Sequence, residues 1–188
     1  ETPLDETMGA LAQAVRSGKA LYVGLSNYDG ELMKRAYEIL TDLHCPFVIN
    51  QNRYSIFDRT IENNGLKREA VNLRRGIIAF SPLAQGMLTD RYLNGIPEDS
   101  RIKKDGRFLK ESALTEDKLK SIRGLAAVAK ARGQTLAEMA LAWILRDGAV
   151  TSVLIGASKP SQITENIKAI ENTHFSAEEL RSIDALSR

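Results

Sequence analysis

VTSVLIGASKPSQITENI, residues 150–167, reads as a strand that hands its carboxyl end to a helix. Thr151 to Ile155 carry strand character, Gly156-Ala157-Ser158 end the run, and Pro160 stands where a first helical turn accepts it, with Ser158 or Lys159 as the cap. The leading N–H groups of a helix lack intrahelical partners and lie at the positive end of its dipole, so Gly156 to Ser161 can hold a phosphate, with Lys159 adding charge. Gln162, Glu165 and Asn166 come next at i, i+3 and i+4 and share one helix face. Corners of this kind also close many α/β units that bind nothing.

Working outward, the same unit recurs. Apolar runs at 20–25 (ALYVGL), 47–50 (FVIN), 76–80 (GIIAF) and 151–155 predict four strands, and helical periodicity fills the intervals between them. Leu4, Met8, Leu11, Ala12 and Val15 predict a helix over 4–17, and Asp29 or Gly30 opens a second that runs through Leu40. A third, over about 61–73, is weakened by Asn63-Asn64-Gly65. Helices over 115–132 and 135–146 flank Gly133, and Ser176-Ala177-Glu178-Glu179 is a capping box over a last helix. Residues 83–114 read as loop, long enough to imply a functional or mobile segment. Continuous apolar strands between helices imply an α/β fold with a parallel sheet covered on both faces. In such sheets ligands bind at the carboxyl ends of the strands. The four strands run into Ser26-Asn27, Gln51-Asn52, Ser81-Pro82 and Gly156-Ala157-Ser158, all small, polar or amide residues that also make good turns.

The 188 residues, 43% hydrophobic and 27% charged, suit one soluble domain over 1–188. A net charge of +2 with no long block of like charge gives no reason to invoke nucleic acid or an anionic membrane. Cys45 is the one cysteine, which excludes an internal disulfide and Cys-rich metal motifs; His44 and His174 do not form a zinc pattern, so no metal is expected. No apolar run reaches the ~20 residues of a membrane span, and a cytoplasmic location is the default. Glu1-Thr2-Pro3 reads as the entry to a helix, so the chain is expected to be cut from something longer.

Set side by side, GLSNY (24–28), NQNRYS (50–55), AFSPLAQGMLTDRY (79–92), GIPEDSR (95–101) and LIGASKPSQITENI (154–167) resemble the carboxyl-terminal half of the aldo-keto reductase family. The resemblance is strongest to the branch with potassium-channel β-subunits and bacterial L-glyceraldehyde-3-phosphate reductases. It implies a (β/α)8 TIM barrel of which the four strands are the fifth to eighth, with accessory helices and with the N-terminal half upstream. It also implies NADP(H). Ser26 and Asn27 match the pair that hydrogen-bonds the nicotinamide carboxamide, and Gln51 matches its amide partner. Phe80 matches the aromatic residue that stacks on the ring, without the hydroxyl many members carry. Ser81, Pro82, Leu83, Gln85 and Gly86 match the loop over the pyrophosphate, and Arg91 and Arg101 match basic positions for the phosphates. Ser158, Gln162, Glu165 and Asn166 match the grip on the 2′-phosphate and adenine, and Lys159 is expected to add preference for NADP(H). Tyr54 and Asn52 fall where a substrate wall would be.

The family's Asp, Tyr, Lys and His tetrad comes from the first four strand ends, so the resemblance implies no catalytic residue in this chain. The complete protein is then expected to reduce aldehydes or ketones to alcohols with NADPH, while this half alone is inactive. Small carbonyl compounds are the expected substrates, and a homo-oligomer is possible. A noncatalytic NADP(H)-binding accessory or redox-sensing subunit of the channel type is the alternative, and a half-barrel that uses the same strand ends for another phosphate ligand is a third. Four strands without the rest of a barrel would leave two open edges and an uncovered face. That implies a longer protein, paired half-barrels, or collapse to an open sheet.

Overall fold

A computed structural model of the chain describes residues 2–93 and 111–187. They form an α/β structure whose sheet has the strand order β1 (Val23–Ser26), β2 (Phe47–Arg53), β3 (Gly76–Phe80), β4 (Ser152–Val153). β1 pairs parallel to β2 and β2 parallel to β3. The chain divides into two compact units, Glu1–Arg53 with Arg59–Phe80 and Gly148–Ser152, and Tyr54–Asp58 with Ser81–Asp147 and Val153–Arg188. Among the described residues no helix is long and apolar enough to cross a membrane.

The first unit holds β1 to β3 with α1 (Leu4–Arg16), α2 (Gly30–Asp42), α3 (Thr60–Asn63) and α4 (Leu66–Asn72). Each helix buries the residues its period predicts: Met8 and Ala12 on α1, Met33, Ala36 and Leu40 on α2, Leu66 and Ala70 on α4. Asp29 caps α2 by accepting from the Leu32 N–H at 2.8 Å. The expected helix over 61–73 is two helices, because Gly65 takes φ 80° between them. Gly30 lets α2 come close to this junction: a Cβ there would stand 2.5 Å from the Gly65 carbonyl carbon. In the sheet, Leu25, Asn50 and Ile77 occupy one row and are buried, while Ser26, Gln51 and Ile78 occupy the next and are not. Burial therefore alternates along the strands, where continuous apolar runs predict cover on both faces.

Strand boundaries depart from the apolar runs in three places. β1 starts at Val23, whose N–H makes the first bond to a neighbour, Pro46 O at 3.0 Å; Leu21 and Tyr22 precede it and are 81% and 63% exposed. β2 continues through Gln51, Asn52 and Arg53, because β3 supplies Ile78, Ala79 and Phe80 as their partners. β4 is two residues rather than five: Thr151 N–H bonds Ile77 O, but the apolar run beyond Val153 has no ladder. A strand needs a paired backbone, and apolar character does not supply one.

The second unit is mainly helical, with α5 (Glu116–Ala131), α6 (Leu136–Leu145), α7 (Pro160–Ile167) and α8 (Ala177–Ser187). Three-residue 3₁₀ turns lie at Ala84–Gly86, Asp90–Tyr92 and Glu111–Ala113, and a four-residue one at Lys168–Glu171. α6 is the core element, burying Leu136 and every residue from Glu138 to Ile144. Leu141 and Ala142 pack with Ala169, Val153 and Ile155, so the apolar residues of the expected fourth strand enter a core without a ladder. The capping box expected at 176–179 is present: Ser176 N–H donates to Glu179 Oε2 at 2.6 Å and Glu179 N–H to Ser176 Oγ at 3.2 Å. Arg132, its side chain 3% exposed, ties the segment before α8 in place. It donates to His174 O (2.9 Å), Asn172 O (3.3 Å) and Gln134 Oε1 (3.0 Å), pairs with Glu179 at 2.7 Å and covers the Phe175 ring.

Candidate functional site

In the first unit the loop after β1 is fixed by one carbonyl. Asn27 N–H donates to Gln51 O at 2.9 Å and Ser26 Oγ to the same oxygen at 3.1 Å. Asn27 takes φ 60°, a left-handed conformation that Asn tolerates better than most residues. Ser26 and Asn27 are exposed, and Gln51, in the sheet row of Ser26, is half-buried. Strand pairing thus places two primary amides and a hydroxyl at neighbouring positions. A carboxamide offers one acceptor and two donors, and this set is complementary to both. Phe80, the last residue of β3, is half-buried and keeps part of its ring surface free.

The second unit has a cleft of about 890 Å³. It collects Ser81, Pro82, Leu83, Gln85, Gly86 and Arg91 from the segment after β3, and Ser158, Lys159, Gln162, Glu165 and Asn166 from the start of α7. All eleven are positions that sequence reading singled out. Ser158 N–H (2.7 Å), Ser158 Oγ (3.2 Å) and Lys159 N–H (3.2 Å) donate to Gln162 Oε1, so the Gln162 amide covers the amino end of α7. Gln85 Nε2 donates to Ser81 Oγ at 3.2 Å, joining the two ends of its loop.

Thr135, Ala137, Leu154, Thr89, Asp90 and Tyr92 also line this cleft, and sequence reading missed them. The signal for the first two was present as Thr135-Leu136-Ala137-Glu138, a capping box: Thr135 N–H donates to Glu138 Oε2 at 2.8 Å and Glu138 N–H to Thr135 Oγ1 at 3.2 Å. The amino ends of α6 and α7 therefore open on one cleft, and the positive ends of their dipoles favour an anion there.

Backbone conformation separates these loops from ordinary turns. Six non-glycine residues among those described have positive φ. His44 and Arg74 end α2 and α4, where a left-handed residue closes the helix by returning N–H groups to its last carbonyls. The other four, Asn27, Ser81, Ala84 and Gln85, lie in the loops after β1 and β3. Strain held outside helix caps clusters at binding loops.

Two expected site residues are placed differently. Tyr54 is 0% exposed; its ring lies 5.3 Å from that of Trp143 and its hydroxyl accepts from Arg146 Nη1 at 3.2 Å, so it presents no surface to a substrate. Asn52 is 6% exposed and points to the buried face of β2, opposite Gln51, where its Nδ2 donates to Tyr28 O at 3.2 Å. Alternation along the strand separates it from the amides of the other face. Arg101 lies outside the described residues. Among the described residues no group of three His, Cys, Asp or Glu side chains could hold a metal. Cys45 is buried, and burial pushes its thiol up, against a smaller opposing effect of Arg16.

A family model described as "Aldo/keto reductase family" matches residues 1–188. Proteins named L-glyceraldehyde 3-phosphate reductase from Escherichia coli O157:H7 and Escherichia coli K12 are 50% and 49% identical over 186 residues. Each alignment takes in 97% of this chain and 54% of the relative, so the chain spans about half the length of the curated relatives it matches. Among solved structures, a glycerol dehydrogenase from Gluconobacter oxydans superimposes with a TM-score of 0.77 at 27% identity, over 98% of this chain and 54% of the other. A thermostable aldo-keto reductase in complex with the inhibitor epalrestat gives 0.71 at 30% identity, over 98% and 55%.

Proposed function

The chain belongs to the aldo/keto reductase family, and we propose that it supplies most of the NADP(H) site of a carbonyl reductase. In this reading it is the C-terminal half of a (β/α)8 barrel, with β1 to β4 as the fifth to eighth strands. The share of each solved relative it matches, 54% and 55%, is consistent with a half, and the order of the strand-end motifs is what points to the C-terminal one. Ser26, Asn27 and Gln51 hold the nicotinamide carboxamide, and Phe80 offers its ring face for stacking. Ser81 to Gly86 and Arg91 take the pyrophosphate; Ser158, Lys159, Gln162, Glu165 and Asn166 take the 2′-phosphate and adenine. The observation that carries the proposal is that the backbone carbonyl of Gln51 anchors both Asn27 N–H and Ser26 Oγ, which keeps two amide-bearing residues and a hydroxyl at neighbouring strand ends, and such groups can pair with the donors and acceptor of a carboxamide.

NADPH, when bound, supplies a hydride to the carbonyl carbon. This chain's part is to bind and orient: two amides at one end fix which face of the ring is offered, and the phosphate cleft fixes reach. The proton for the carbonyl oxygen comes in this reading from a Tyr on the other half. The substrates are small aldehydes, with a phosphorylated triose the first to try, given the names of the two relatives.

Steady-state NADPH oxidation by the intact protein with glyceraldehyde 3-phosphate and simpler aldehydes tests this. Turnover that falls at least about a hundredfold in kcat/KM for Asn27→Ala plus Gln51→Ala supports it. Binding of NADPH without turnover would favour an accessory subunit. Failure to bind NADPH would sink the proposal.

A further inference from the structure

The stretch Asn50-Gln51-Asn52 on β2 carries three amides, and the pleat sends them two ways. Gln51 joins Ser26 on the open face, while Asn50, 0% exposed, and Asn52 go to the buried one. There both aim at a single atom of the loop after β1: Asn52 Nδ2 donates to Tyr28 O at 3.2 Å and Asn50 Nδ2 reaches it at 3.4 Å. Asn50 Nδ2 also donates to Asn52 Oδ1 at 2.6 Å, which fixes the Asn52 amide with its NH2 toward the loop. Asn50 Oδ1, buried, has no partner among the described residues. An apolar side chain would avoid that orphaned acceptor, so the amide at this position carries a cost that packing does not explain.

The two Asn residues grip the residue directly after Asn27. From the front, Gln51 O binds Asn27 N–H and Ser26 Oγ; from behind, Asn50 and Asn52 bind Tyr28 O. Asn27 sits between these two sets of bonds with its φ at 60°. We propose that Asn50 and Asn52 form a buried amide clamp that holds Asn27 in its left-handed conformation and so aims its side chain at the nicotinamide carboxamide. They are positioning residues for hydride transfer, and the clamp rests on the reading of this site as one for NADP(H).

Asn52→Leu in the intact protein removes the amide at nearly constant volume. Binding of NADPH is compared with binding of 2′,5′-ADP, which carries the adenosine end alone, and hydride transfer is followed from NADPH deuterated at either face of the ring. The clamp predicts that the NADPH dissociation constant rises about tenfold while that for 2′,5′-ADP stays within about twofold, and that facial selectivity erodes. Should the leucine variant not fold, Asn52→Ser carries the same comparison. Parallel weakening of both ligands with a fall in Tm would mean a merely structural pair and would overturn the proposal, as would no change in either. A wild-type protein that binds neither ligand overturns the cofactor reading and the clamp's purpose with it; one that binds both while the variant loses nothing overturns the clamp alone.

Discussion

Lys159 stands one residue ahead of Pro160 at the start of α7, among the residues that line the cleft of the second unit. Its charge adds to a helix dipole already favourable to anions, so on the proposed NADP(H) reading it would discriminate by the extra phosphate that NADPH carries and NADH lacks. Lys159→Ala is expected to lower the ratio of NADPH to NADH affinity about threefold at low salt, and less at high salt, since the group is exposed. Titration of both cofactors into wild type and variant checks this; an unchanged ratio removes Lys159 from the account. Gln162 acts on the fold as well, since its Oε1 accepts from Ser158 N–H, Ser158 Oγ and Lys159 N–H. Gln162→Ala should cost about 1 kcal/mol in a denaturant melt without added ligand. That Ser158 and Asn166 line one cleft was legible because a helix start and the positions one or two turns on are close in sequence. The places of Tyr54 and Asn52 were not. Tyr54 is buried by Trp143 and Arg146, some ninety positions away in sequence, whereas the opposite pointing of Asn52 and Gln51 was available from strand alternation alone.

Elements that end in local chemistry were legible from sequence, and those that end in pairing were not. Ser176 and Glu179 open α8, and Thr135 and Glu138 open α6, within four residues of chain. β2 instead runs three polar residues beyond its apolar run because β3 is there to pair, and β4 stops early for want of pairing. The segment before α8 depends on Arg132, which serves Asn172, His174, Gln134 and Glu179 at once. Arg132→Met is expected to destabilise by about 1–2 kcal/mol, since it removes the donors to the solvent-accessible His174 carbonyl and Glu179 carboxylate and the cover of the Phe175 ring. Burial alone raises Glu179, but hydrogen bonds from the Ser176 backbone and from Arg132, with the charge of Arg132, together hold it below its ordinary value. A carboxylate lowered in the folded state contributes stability that is present above its unfolded value near pH 4.5 and is lost as pH falls through the folded one. Acid melts of wild type and Glu179→Gln should therefore converge as pH drops below about 4.5. At the contact of α2 with the α3–α4 junction, Gly30→Ala places a methyl 2.5 Å from the Gly65 backbone, which cannot yield as a flexible side chain would. A loss of about 2 kcal/mol or more is expected, measured as a shift in urea midpoint at constant m.

At the scale of the whole molecule, the α/β class, the parallel sheet and the family were all legible, because four apolar runs and the loops after them keep their order along the chain. Cover on the two faces of the sheet was not, because apolar strands look alike whether or not something lies over both sides. Ser26, Gln51 and Ile78 remain at least partly exposed in one unit, and among the described residues a cleft lies within the other. On the reading proposed above, Ser26, Asn27 and Gln51 serve the nicotinamide end of NADP(H), and the cleft of the second unit serves its phosphates. A crystal structure of the intact protein grown with NADP+ tests this reading directly. The carboxamide is expected within hydrogen-bond distance of Asn27 and Gln51, and the 2′-phosphate at Ser158 and Lys159. Density for the dinucleotide elsewhere, or an intact, folded protein that takes up none at millimolar NADP+, would contradict it.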